Sequence, residues 1–282
     1  MDSTKKTLNF KLILGLFLPL IIAILIQYIV AWTDMLVLFV GHMNSTQALS
    51  PEETVGSVMT ESYNQPMNLA YMTLAQHLLY LLVFGIWYKK LCKKHTEDKR
   101  SIPKRIFLLC AFMGYVAQCM VDGFLTYARP IFPKAFAQYD ELLSKVSGAN
   151  QSTVMLIAVI VIAPIGEELL FRGLILDKAK QLLPIPMAIV LQAALFGIYH
   201  GITVQVVYAF LLGLVLGILA HRTGNLLVAV VFHFTVNASL LLVPSSWFST
   251  SLGCAITTIF ATLLFIGLFL FIYKTSVTKK EI

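Results

Sequence analysis

Two adjacent glutamates, Glu167 and Glu168, stand in an otherwise apolar stretch, with an arginine at position 172. A carboxylate at the centre of a membrane-spanning helix costs about 3 kcal/mol. Two of them in one span need a purpose. Residues four apart share a helix face, and neighbours lie about 100° apart. Glu168 and Arg172 are so spaced, with the glutamate first, the order that favours an ion pair. Glu167 faces elsewhere, and its i+3 and i+4 positions, Leu170 and Phe171, carry no cation. The spacing therefore assigns Glu168 to a structural pair and leaves Glu167 as a carboxylate suited to general-base action on water. Pro164 removes a helix hydrogen bond three residues earlier, which predicts a kink and room for that water. The bland alternative is a Glu–Arg clasp between helices.

Further along lie His200, in Phe196-Gly197-Ile198-Tyr199-His200, and the i,i+4 pair His233 and Asn237. An Asn and a His on one face can donate two hydrogen bonds to a developing oxyanion. Interhelical hydrogen bonding worth ~0.6 kcal/mol explains the same pair without chemistry. Glu167 lies ~14 Å and His233 ~12 Å from the inner ends of their helices, whereas His200 lies ~24 Å from its own. The 184–220 hairpin carrying His200 is short, however, because two full crossings need about 40 residues before any turn. A hairpin tip at membrane depth would bring His200 towards the level of Glu167.

These residues need a membrane scaffold, and the composition supplies one. Of 282 residues, 58% are hydrophobic and 12% charged, about half the usual charged fraction of a soluble domain. The expected fold is all-α: one polytopic membrane domain over 1–282 with eight spans. They are Phe10–Trp32, Met67–Tyr88, Pro103–Thr126, Thr153–Leu176, Pro184–His200, Ile202–Ala220, Leu226–Val243 and Leu252–Tyr273. With both termini cytoplasmic, 18 of the 21 Lys and Arg residues fall inside; only Arg129, Lys134 and Lys145 fall outside. That asymmetry follows the positive-inside rule. It accounts for the net charge of +7 and leaves nothing that suggests nucleic-acid binding. The first span is too long for a signal-peptide core and reads as an anchor.

The four cysteines show no metal or disulfide spacing and read as packing residues. The outer 127–151 loop carries Phe132, Phe136, Tyr139, Leu142 and Leu143 among polar residues. That pattern suits a helix on the outer membrane surface or a cap on the bundle. Gly213 and Gly217 read as a small-residue packing pair. His77 and Asp122 are the only ionisable groups in the interiors of the first three spans. The polar site is therefore expected among helices four to seven, with the other spans as a wall.

Taken together, Glu167-Glu168 with Arg172, Phe196 with His200, and His233 with Asn237 resemble the ordered motifs of the CAAX protease and bacteriocin-processing family of intramembrane endopeptidases. The turn Arg222-Thr223-Gly224-Asn225-Leu226 is similar to that family as well. The resemblance covers 153–243. It implies an eight-helix fold, with Glu167 and His200 holding the attacking water and His233 and Asn237 stabilising the oxyanion. Glu168, Arg172 and Phe196 would support the site. No cofactor is required on this reading; zinc held by Glu167, His200 and His233 is the alternative.

The implied substrate is a membrane-held peptide or lipidated protein: a prenylated CAAX tail, or a bacterial peptide precursor in a plasma membrane. Some relatives serve instead in bacteriocin self-immunity or sensor-kinase regulation. An ion transporter using Glu167 is a third reading, disfavoured by the absence of an inverted repeat.

Overall fold

The computed structural model describes residues 10–43, 52–53, 55–58, 66–94, 102–147 and 153–275. The rest of the 33–66 loop, residues 95–101 and 148–152 and both chain ends lie outside the described residues. Every long element is a helix: α1 Phe10–Met43, α2 Pro66–Lys94, α3 Lys104–Ala128, α4 Pro133–Ser147, α5 Thr153–Leu182, α6 Ile185–Tyr199, α7 Thr203–Thr223, α8 Leu226–Ser239 and α9 Ser251–Thr275. No strand occurs among the described residues. In hydrocarbon, a helix satisfies each backbone polar group internally, so this outcome is required by the composition.

Six of these helices, α1, α2, α3, α5, α7 and α9, are long and apolar enough to cross a membrane. The expected fifth and seventh spans form as apolar helices but are shorter, at 15 and 14 residues. At 1.5 Å per residue each covers only ~22 Å against ~30 Å of hydrocarbon. The expected first span is also revised: α1 runs to Met43, well beyond Trp32.

Small residues set the close helix contacts. A Cβ on Gly213 would lie 3.1 Å from Ala193, and one on Gly217 would lie 2.5 Å from Gln192 Nε2. The α6–α7 hairpin is thus the contact that this glycine pair serves. A Cβ on Gly114 would lie 2.7 Å from the Phe232 carbonyl, which binds α3 closely to α8. Gly166 does the same for α2 and α5: its Cβ would lie 3.1 Å from Tyr80 Cβ and 3.6 Å from the His77 carbonyl.

Of the two readings of the 127–151 loop, the structure favours the cap. Phe136 and Tyr139 of α4 are buried with Val204 of α7. Arg129 pairs with Asp140 and lies 4.8 Å over the Phe136 ring, which fastens the start of α4.

At the far end of the hairpin, the 221–225 turn is more ordered than a simple polar loop. Gly224 adopts φ +64° and ends α7, and the Asn225 side chain accepts from Leu227 N–H to cap α8. Arg222 lies 4.0 Å over the Tyr273 ring of α9. Cys110, Cys119 and Cys254 are buried as expected for packing residues, whereas Cys92 is exposed.

Candidate active site

α5 is not a uniform helix. Two π-helical stretches, Ile157–Ile162 and Leu169–Ile175, flank the α-helical Ala163–Glu168. Such bulges rephase the side chains that follow and recur at functional sites. Pro164 lies in the α-helical segment between them. Ala163 N–H bonds to the Ala158 carbonyl, five residues back. In that register the Val159 carbonyl would need the N–H of residue 164, which proline lacks. Asn237 fills the gap: its Nδ2 donates to the Val159 carbonyl at 2.9 Å. The second Nδ2 hydrogen is left over, and Asn237 also lines the cavity described below.

The two glutamates separate as their spacing requires. Glu168 is fully buried, and its Oε1 accepts from Arg172 Nη1 at 2.8 Å. Arg172 Nη2 donates to the Gly213 carbonyl at 3.2 Å, and the guanidinium lies 4.3 Å over the Phe196 ring. Phe196 therefore supports the arginine and also packs edge-on against His200 and His233. Gln192, missed in the sequence, donates to the same Gly213 carbonyl at 2.9 Å.

His233 reaches α5 from α8, with Nδ1 2.8 Å from Glu168 Oε1 and Nε2 3.8 Å from Glu167 Oε2. A carboxylate paired with arginine only accepts, so His233 Nδ1 carries a proton and Nε2 is the atom presented to Glu167. His200 is fixed by a helix end. The last turn of α6 tightens, with His200 N–H bonding to the Gly197 carbonyl. The Phe196 carbonyl then takes His200 Nδ1–H at 2.8 Å. Gly201, at φ +73°, turns the chain directly afterwards.

Glu167 is not the partnerless carboxylate that its own helix suggests. His77 of α2 places Nε2 3.4 Å from Glu167 Oε1. The wall of early spans thus contributes to the site. The close approach at Gly166 brings His77 there; an ionisable residue in the interior of an apolar span was the sequence signal.

Glu167, His77, His200, His233 and Asn237 line one cavity of about 320 Å³, together with Gln118, Tyr139 and Tyr208. His200, at the tip of the short hairpin, lines the same cavity as Glu167. The cap helix α4 contributes Tyr139, Leu142 and Leu143 to the lining of this cavity. A larger cavity of about 690 Å³, walled almost wholly by apolar side chains of α3, α4, α7 and α9, adjoins it. The two share Val121, Tyr208 and Leu212.

No group of three His, Cys, Asp or Glu side chains among the described residues is arranged to hold a metal ion. Glu167, His200 and His233, the residues of the zinc alternative, line one cavity.

A membrane-embedded helical bundle with a buried carboxylate among imidazoles is the class these observations define. Residues 149–239 match the family model described as type II CAAX prenyl endopeptidase Rce1-like. The match supports, for this stretch, the resemblance to the CAAX protease and bacteriocin-processing family read from the sequence. The matched stretch runs through α5, α6, α7 and α8 and contains Glu167, Glu168, Arg172, Phe196, His200, His233 and Asn237 but not His77, Gln118 or Tyr139. No curated protein and no solved structure matches the chain.

Proposed function

We propose that this protein is an intramembrane endopeptidase that hydrolyses a peptide bond in a membrane-held, lipidated substrate, with Glu167 as general base. The observation that carries the reading is a buried carboxylate, itself outside the Glu168–Arg172 pair, at the wall of a cavity that His200, His233 and Asn237 also line.

Water sits between Glu167 and His200 Nε2. Glu167 takes a proton from the water as its oxygen attacks the peptide carbonyl carbon. The carbonyl π-bond electrons move to the oxygen, and the oxyanion is met by the remaining Asn237 Nδ2–H and by His233, which donates from Nε2 in its imidazolium form. The C–N bond then breaks, and Glu167 returns the proton to the leaving nitrogen. Glu168 and Arg172 hold His233 and Phe196 in place.

The adjoining apolar cavity suits a hydrocarbon chain, and its wall shared with the polar cavity would set the peptide beside Glu167. The match to type II CAAX prenyl endopeptidases supports a prenylated CAAX-type substrate. The protein is a single integral-membrane domain. α6 and α8 lie within the bilayer as part of an eight-helix bundle, and both termini are cytoplasmic.

Cleavage of a farnesylated CAAX-type peptide in proteoliposomes tests the reading. The farnesylated peptide should be cut and an unlipidated one cut much more slowly. Because Glu167 acts without a metal here, 1,10-phenanthroline should leave the initial rate unchanged. Inhibition reversed by added zinc would instead restore the zinc reading of Glu167, His200 and His233.

A further inference from the structure

We propose that His77 is a positioning residue for Glu167, holding the carboxylate by Oε1 so that Oε2 is presented to the cavity. The inference rests on Glu167 being the general base, as argued above. His77 lies on α2, outside the matched stretch 149–239, so nothing in the family motifs assigns it.

The ring has a fixed sense. Its Nδ1 is 2.8 Å from the Thr73 carbonyl. A carbonyl only accepts, so Nδ1 carries a proton and Nε2 is turned to Glu167. Nε2 lies 3.4 Å from Oε1. With Glu167 ionised, as its role as base requires, this contact needs a proton on Nε2 as well, so His77 holds Oε1 as an imidazolium. That proton makes an Nε2–H···Oε1 contact and fixes the plane of the carboxylate. Oε2 then lies towards His233 Nε2, at 3.8 Å.

The surroundings hold His77 in this role. His77 is 6% exposed and Glu167 8%, so water does not compete freely for either. The ring packs edge-on against Tyr80 at 5.3 Å. Tyr80 donates to the Ala23 carbonyl at 3.0 Å and lies 2.5 Å from the Tyr199 hydroxyl. Tyr199 precedes His200, so one hydroxyl pair ties the helix of His77 to the helix of His200. Gly166, directly before the base, is what admits α2 to this distance.

The test compares His77→Leu, which fills the space without a donor, with His77→Gln, whose amide N–H replaces the Nε2 donor. The probe is a farnesylated CAAX-type peptide in proteoliposomes. His77→Leu should lower kcat about 10²-fold, the scale of a misplaced reacting group, with KM nearly unchanged. His77→Gln should recover most of that loss. A His77→Leu kcat close to wild type overturns the proposal, and so does equal loss in both variants, which marks simple packing. Glu167→Gln runs alongside. If it too is active, the base assignment has failed; if it alone is inactive, only the role of His77 has failed. A substrate-free readout is the ¹⁵N spectrum of labelled histidines in nanodiscs. The Nε2 resonance that disappears in His77→Gln should move in Glu167→Gln, and an unmoved resonance overturns the contact.

Discussion

Glu167→Gln should lower turnover by about 10²- to 10⁴-fold, the range for loss of a general base, while the protein stays folded. The amide keeps the size and shape of the side chain and can still contact His77 and His233. It cannot take a proton from water. KM should change little, because Glu167 acts on water and not on the lipid chain. The check is kcat and KM for the farnesylated peptide in proteoliposomes, beside thermal unfolding of the same preparations. A variant that unfolds like wild type and cleaves like wild type removes Glu167 from the chemistry.

Arg172→Met should act on stability first. Glu168 and Arg172 form a contact of 2.8 Å between side chains that are both fully buried. Removing one partner of a buried pair costs about 3–5 kcal/mol, because the other charge is left uncompensated. His233 still faces Glu168 and offsets part of that cost. The variant also loses the bond to the Gly213 carbonyl and the cation over Phe196, two contacts that join α5 to the hairpin. We expect a clearly lower unfolding temperature in nanodiscs, and a partial recovery in the double variant Glu168→Gln with Arg172→Met, which removes the stranded charge. Unfolding at the wild-type temperature in Arg172→Met would show that the pair does not hold the bundle together. Activity should fall with stability, because Glu168 also orients His233.

Much of the site was legible because it is built from local spacings. The Glu168–Arg172 pair follows from the i,i+4 rule alone. The short 184–220 hairpin predicted a tip at membrane depth, and His200 does line the same cavity as Glu167. His233 and Asn237 do project from one helix towards α5. What spacing could not show is the work done between helices. Asn237 bonds to Val159 because a π stretch and Pro164 together leave a carbonyl without its N–H. His77 meets Glu167 because Gly166 lets two helices approach. Neither depends on a repeat or motif within one segment. The span lengths were only partly legible for a related reason. Hydropathy marks where apolar residues run, while the ends of α6 are set by Pro184 and by the turn at Gly201, and the start of α8 by the Asn225 cap.

The central claim is that Glu167 carries out proteolysis in the membrane. Its most direct test compares protein and peptide termini in membranes from cells making the wild type or Glu167→Gln at matched abundance. The account predicts a set of new termini, found only with the wild type, on membrane-held substrates. Identical termini in the two samples would contradict it and would favour the immunity or kinase-regulating reading.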